Sequence, residues 1–234
     1  MHIFYAPNIR ETLELPQEEA QHCIRVLRLK ENDNIRITDG SGSFFDAEIS
    51  YISSKKCGVE IINSFSSDLP WKNHIHIAMA PTKNMDRNEW FVEKATEIGI
   101  NQITFLNCRF SERKDIKPER IEKIMVSAMK QSQKAWLPQL QGMTDFKRFI
   151  GQNFEGQKFI AHCYPEDKKS LTQSYIKNKD VVMLIGPEGD FSEEEIALAI
   201  QHGFQPVSLG ESRLRTETAA LAACQTIHVI NSLF

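Results

Sequence analysis

No segment of this 234-residue chain approaches the ~20 consecutive apolar residues that a membrane-spanning helix requires. The opening stretch MHIFYAPNIR lacks the basic-then-apolar pattern of a secretory leader, so a cytoplasmic protein without a membrane partner is expected. Two nucleotide signatures are also missing. There is no G-x-x-x-x-G-K-[ST], which excludes a P-loop, and no G-x-G-x-x-G, which argues against a dinucleotide fold. The five cysteines (Cys23, Cys57, Cys108, Cys163 and Cys224) are odd in number, scattered, and never in C-x-x-C. That pattern points to reduced thiols rather than a disulfide frame or a zinc site. His74 and His76 sit two apart on an expected strand, but no third ligand accompanies them, and no metal is expected. Tandem repeats and low-complexity segments are absent.

A basic excess is missing as well, since the net charge is −3. Its distribution says more than its sum. Residues 1–70 carry 7 basic and 11 acidic side chains, residues 151–234 the same, and residues 71–150 carry 14 and 9. The middle third offers either a face for phosphate or an ordinary solvated helix surface.

The densest run of structural punctuation is residues 181–223. Residues 181–185, VVMLI, have the pattern of a short strand buried on both faces. The run stops at Gly186-Pro187-Glu188-Gly189, where proline fixes one dihedral and glycine admits positive φ. Ser192 and Glu195 form a capping box, Ile196, Ala199 and Ile200 an apolar stripe, and Gly203 a helix stop. Residues 206–209 predict a second strand, cut by Gly210. A charged loop, 211–215, then leads to Thr216, the expected N-cap of a last helix whose apolar residues serve either the core or an interface. Ligands of parallel α/β sheets sit beyond the carboxyl ends of strands. Two glycine-bearing loops without a phosphate cradle suit a nucleoside such as S-adenosylmethionine, although a GPEG turn with no ligand fits the same residues.

Residues 1–70 read mostly as β. A short helix is expected at 18–26, then strands at 34–38, 44–52 and 57–62, which together suggest a small barrel. Arg25 and Arg28 share a helical face if that helix continues, as a phosphate clamp or as surface solvation. Polar residues 63–73 read as a linker, dividing the chain into domains 1–70 and 71–234. Beyond it, a strand at 74–80, a helix at 86–98 ended by Gly99, and a strand at 100–106 give the β–loop–helix–β order of a parallel sheet. A long helix is expected at 119–132 and a further strand at 158–163, with His162 at its carboxyl end.

LIGPEGDFSEEEI followed by LGESRLRTETAALAA resembles the C-terminal signature of the ribosomal RNA small subunit methyltransferase E family, knotted enzymes of the SPOUT class. IRVLRLKENDNIRITDGSG is similar to that family's N-terminal PUA-like barrel, and APTKNMDRNEWFVEKATEIGI and AMKQSQKAWLP resemble its intervening segments. The resemblance covers essentially the whole chain. It implies an α/β fold: a C-terminal SPOUT domain with a mostly parallel sheet and a trefoil knot, preceded by a small PUA-like β-barrel. It also implies S-adenosylmethionine as cofactor, methylation of N3 of a uridine in 16S rRNA, the rRNA or the small ribosomal subunit as partner, and a homodimer. Cofactor contacts are implied at His162, Ile185, Gly186, Pro187, Gly189, Leu209, Gly210 and Leu214. RNA contacts are implied at Arg25, Arg28, Lys83, Arg109 and Lys134. The sequence departs from the family pattern at Asn84, Lys130, Lys134, Asp190, Ser212 and Arg213.

Uracil N3 is mostly protonated at neutral pH, so its proton must leave as the new bond forms. Arg215 is the candidate for stabilising the resulting charge on the ring oxygens, because a guanidinium reaches two acceptors at once. It could instead pair with Glu217 or Glu211, and Glu217 could serve the first turn of the last helix. Two other readings remain open on sequence: a non-catalytic rRNA-binding protein that keeps the fold, and a small-molecule α/β enzyme.

Overall fold

The computed structural model describes residues 2–233. The chain divides into two compact units, Met1–Pro70 with Val126–Leu137, and Trp71–Met125 with Pro138–Phe234. A division into 1–70 and 71–234 therefore misses one segment, residues 126–137, which belong with the first unit. Thr38 donates to the Ala135 carbonyl, Gly42 N–H to the same oxygen at 2.9 Å, and the Trp136 indole to the Ser67 carbonyl at 2.6 Å. These bonds join positions 69 to 97 residues apart, which a contiguous reading of the sequence does not supply.

In the first unit, β1 (Ile3–Tyr5), β2 (Asn34–Thr38), β3 (Ser43–Ile52) and β4 (Cys57–Ser66) form one sheet in that order, antiparallel except for β1 and β2. Ile35 and Ile37 on β2 and Phe45, Ala47 and Ile49 on β3 alternate inward, where Phe4, Ile9 and Cys57 join them. The outer edge of β4 is taken by the chain just after β1: Val59 N–H donates to Leu13 and Leu15 N–H to Cys57, both at 2.9 Å. Residues 6–12, with one helical turn, α1 (Ile9–Thr12), make that link, so the sheet must curl back on itself.

Two local expectations change in this unit. The helix expected at 18–26 is α2 (Gln17–Gln21) followed by a π-helical turn, His22–Val26, and Arg28 adopts φ 55°. Arg25 and Arg28 thus do not share a helical face, because the helix ends between them. Residues 63–66 of the expected linker are strand, since the ten-residue β3 gives them a ladder partner as far as Ser43 opposite Ser66.

The second unit is a six-stranded sheet, every neighbouring pair parallel. Its elements are β5 (Ile75–Met79), α3 (Met85–Ile98), β6 (Gln102–Asn107), α4 (Pro118–Gln131, whose last residues fall in the first unit), β7 (Gln139–Asp145), α5 (Phe146–Ile150), β8 (Gln157–Ala161), α6 (Leu171–Ser174), β9 (Val181–Ile185), α7 (Glu193–Gln201), β10 (Gln205–Val207) and α8 (Thr216–Ser232). The strand order is β10-β8-β9-β5-β6-β7. All residues of β5 and β9 are buried in the centre of a two-sided sheet, β9 as a wholly apolar run and β5 with His76 as its one polar member. One face packs Ala78, Leu106, Ile160, Val182 and Leu184 against Phe146 and Phe149 of α5 and Ile196 and Ala199 of α7. Helix α8 lies along β5 and β9 and packs on α3. Each large apolar side chain buried this way stabilises the unit by ~1.5–3 kcal/mol.

Several boundaries sharpen. The strand expected at 206–209 is Gln205–Val207, that at 158–163 is Gln157–Ala161, and Arg215 rather than Thr216 is the N-cap of α8. The capping box on α7 is complete, and Gly203 follows that helix at φ 83°. His76 is buried and bonded to Thr104 at 2.8 Å. Among the described residues, no group of three or more His, Cys, Asp or Glu gathers as a metal site, and no helix is long and apolar enough to cross a membrane.

Candidate functional site

Three loops leave the carboxyl ends of β8, β9 and β10, which bring their last residues close because β8 pairs with both neighbours. Between the loops lies a cavity of about 730 Å³, within the range of ~300–1,000 Å³ usual for small-molecule sites. The first wall is Ala161–Tyr164 with Glu166 and Lys168, the second is Ile185–Glu188 with Asp190, and the third runs from Val207 to Thr216.

Each wall holds its shape for a local reason. After β9, Asp190 N–H donates to the Pro187 carbonyl at 2.9 Å and closes the turn that proline initiates. Glu195 then does two things: one carboxylate oxygen accepts from Ser192 N–H at 2.9 Å to complete the cap, and the other accepts from Arg109 N–H at 2.8 Å. After β10, Ser208 is tied to the loop after β8 by two backbone bonds, Ser208 N–H to the Lys169 carbonyl and Leu171 N–H to the Ser208 carbonyl. Gly210 follows at φ 132°, and a Cβ there would meet no protein atom within 4 Å. At that φ, side chains other than glycine are strained, and the space beyond this α-carbon is open.

Of the predicted cofactor residues, His162, Ile185, Gly186, Pro187, Leu209, Gly210 and Leu214 line the cavity. Gly189 does not; its α-carbon faces Phe110 instead. The His162 side chain is 1% exposed. Its Nε2 lies 2.9 Å from Glu166 Oε1 but is not aligned for a hydrogen bond, and its Nδ1 is 3.3 Å from the Lys168 ammonium. Burial, then the charge of Lys168, lower its pKa below the usual histidine range, so the ring is neutral at physiological pH. Arg215 is exposed on the cavity lining. Its expected partner Glu217 is buried and pairs with Arg87 at 3.7 Å, leaving Oε2 without a hydrogen bond.

The predicted RNA contacts fall in both units. Arg25, Arg28 and Lys134 belong to the first, Lys83 and Arg109 to the second. Lys83 pairs with Glu112 at 2.8 Å and Arg109 with Glu194, both exposed pairs of the kind that contribute little to stability. Sequence reasoning assigned no role to Cys163, Glu166 and Lys168 in the first wall. Their signal was position: they follow directly on the strand that delivers His162.

The chain matches the family model of an RNA methyltransferase domain over residues 69–228 and that of an RNA methyltransferase PUA domain over residues 15–62. A probable rRNA-methyltransferase from Porphyromonas gingivalis, known as a crystal structure, is 45% identical, with a TM-score of 0.95 and 99% of each chain covered. A ribosomal RNA small subunit methyltransferase E from Neisseria gonorrhoeae, solved bound to S-adenosyl methionine, is 27% identical, with a TM-score of 0.85 over 98% of this chain and 97% of that one. The ribosomal RNA small subunit methyltransferase E of Synechocystis sp. is 28% identical, over 95% of this chain and 74% of its own length.

Proposed function

The chain belongs to the ribosomal RNA small subunit methyltransferase E family, and from that premise we propose that it transfers a methyl group from S-adenosylmethionine to N3 of one uridine in 16S ribosomal RNA. The observation that carries this reading is the cavity at the carboxyl ends of β8, β9 and β10. It has room for a nucleoside, walls formed by three strand-end loops, and open space beside Gly210. When bound, S-adenosylmethionine supplies an electrophilic methyl group on a sulfonium.

The residues suit that charge. Glu166, Glu188, Asp190 and Glu211 bring four carboxylates to the lining against three cations, Lys168, Arg213 and Arg215, and neutral His162 adds no further positive charge. Backbone groups of residues 185–187, 209–210 and 214 would hold the nucleoside, as close-approach loops at strand ends do. Arg215 would face the acceptor base and stabilise negative charge on the uracil oxygens as the N3 proton departs. Unpaired with Glu217, its guanidinium is available for that task. Arg25, Arg28, Lys83, Arg109 and Lys134 are proposed to contact RNA phosphates, which position the substrate without specifying it. We further infer a cytoplasmic homodimer whose carboxyl-terminal chain threads a trefoil knot.

The test is mass mapping of small-subunit RNA after incubation with the protein and labelled S-adenosylmethionine, run in parallel on naked 16S rRNA and on assembled subunits. The expected product is one methyl group on one uridine, at N3, where it blocks the pairing edge and stops reverse transcription. Methyl on another atom would reject the N3 assignment, and an unmodified RNA in both arms would reject the activity. Arg215→Ala should lower kcat by about 10²–10³-fold, the range for losing one preorganised charge stabiliser.

A further inference from the structure

Asp190 closes the turn after β9 in the left-handed region, φ 65°, a conformation that Asp tolerates better than most residues. Its carboxylate then reaches beyond its own loop. Oδ1 accepts from Phe191 N–H at 2.8 Å, and Oδ2 accepts from Cys163 N–H at 2.7 Å. Cys163 lies just beyond β8 and Asp190 just beyond β9, strands that are adjacent in the sheet with Ala161 opposite Ile185. One side chain therefore spans two of the three walls of the cavity, and both residues line it. The joint between the walls after β8 and β10 is made by backbone at Ser208. That between the walls after β8 and β9 depends on a carboxylate.

We propose that Asp190 is a positioning residue for the cofactor: its carboxylate latches the loop after β8 to the loop after β9 and so fixes the width of the cavity between them. The proposal rests on the reading of that cavity as the S-adenosylmethionine site. The latch leaves a trace on Cys163, whose thiol pKa is raised by burial and then by the Asp190 charge. With the latch open, the loop after β8 loses its tie to the turn and samples wider positions, which the cofactor must then reorder at a loss of affinity.

Three substitutions separate the backbone role from the carboxylate role. Asp190→Gly keeps the left-handed turn and removes the acceptor. Asp190→Asn keeps the turn and one acceptor oxygen. Asp190→Ala loses the acceptor and strains the turn. Two readouts apply to each: calorimetric Kd for S-adenosylmethionine, and hydrogen exchange at the Cys163 amide. Asp190→Gly should weaken cofactor binding about three- to tenfold and speed Cys163 exchange by at least as much, the effect of one lost charge-assisted hydrogen bond. Asp190→Asn, whose single oxygen can serve Phe191 N–H or Cys163 N–H but not both, should fall between the native chain and Asp190→Gly in both readouts, and Asp190→Ala should be the weakest. The latch is overturned if Asp190→Gly binds as tightly as the native chain, or if Cys163 exchange does not respond. A native chain that binds no S-adenosylmethionine would defeat the cofactor reading instead, and Cys163 exchange would still decide the latch.

Discussion

The six parallel strands all end along one edge of the sheet, yet the two halves of that edge differ. Beyond β5 and β6 side chains satisfy the loop backbone and bridge the gap between the two loops. Asn88, fully buried on α3, accepts from Thr82 N–H at 2.8 Å and donates to the Thr82 and Asn84 carbonyls. Arg113 donates to the Thr82 and Lys83 carbonyls, and Ser111 accepts from Cys108 N–H at 3.0 Å. Beyond β8, β9 and β10 the loops are tied by one carboxylate, Asp190, and by the backbone of Ser208, and the space between stays open. Strand-end position alone thus does not make a ligand site. What matters is whether side chains fill the gap between neighbouring loops or leave it open.

Closing the open half should have the largest effect. Gly210→Val places a branched side chain at φ 132° beside that space, and calorimetry should show S-adenosylmethionine affinity reduced about a hundredfold. Opening the filled half should act on stability instead. Asn88→Ala strands the Thr82 amide and removes one of the two donors to the Thr82 carbonyl, which should cost about 1–3 kcal/mol and lower Tm by roughly 3–10 °C. If Asn88→Ala weakens cofactor binding as much as it weakens the fold, the two halves are coupled and the contrast fails.

The effect that is smallest near neutral pH, because it develops only in acid, is at His76 in the middle of β5. Burial, reinforced by the neighbouring His74, pushes its pKa down from 6.5 to about 3. Below about pH 6.5 the unfolded chain takes up a proton that the folded chain refuses until about pH 3. Stability should therefore fall with acid across that window, by up to ~1.4 kcal/mol per pH unit from this residue. Denaturant titrations of His76→Gln should show a shallower acid limb than the native chain. An unchanged limb would mean that His76 is protonated with little penalty and that this side of the sheet is wetter than its packing indicates.

What the sequence disclosed was local. The apolar run of β9, the Ser192–Glu195 box and the glycine stops at Gly99 and Gly203 are set by neighbours within a few residues, and seven of the eight expected cofactor residues line the cavity. What it withheld was made between distant segments. Asp190 reads as a turn residue, but its partner Cys163 lies 27 positions away. Glu217 reads as a first-turn acid or a partner for Arg215, and it faces Arg87 on another helix. Arg25 and Arg28 share a face on a regular helix, but the π-helical turn and the left-handed Arg28 part them. Spacing rules assume a uniform helix, and five residues of wider winding were enough to break one.

Residues 126–137 carry a consequence for anyone who would take the molecule apart. A fragment cut after Pro70 would lack the Ala135 carbonyl that anchors Thr38 and Gly42, and it would leave the Ser67 carbonyl without the indole that caps it. The amino-terminal unit is thus not a cassette that a single crossover can graft onto another catalytic body. A chimera meant to exchange that unit would have to carry both pieces of chain together.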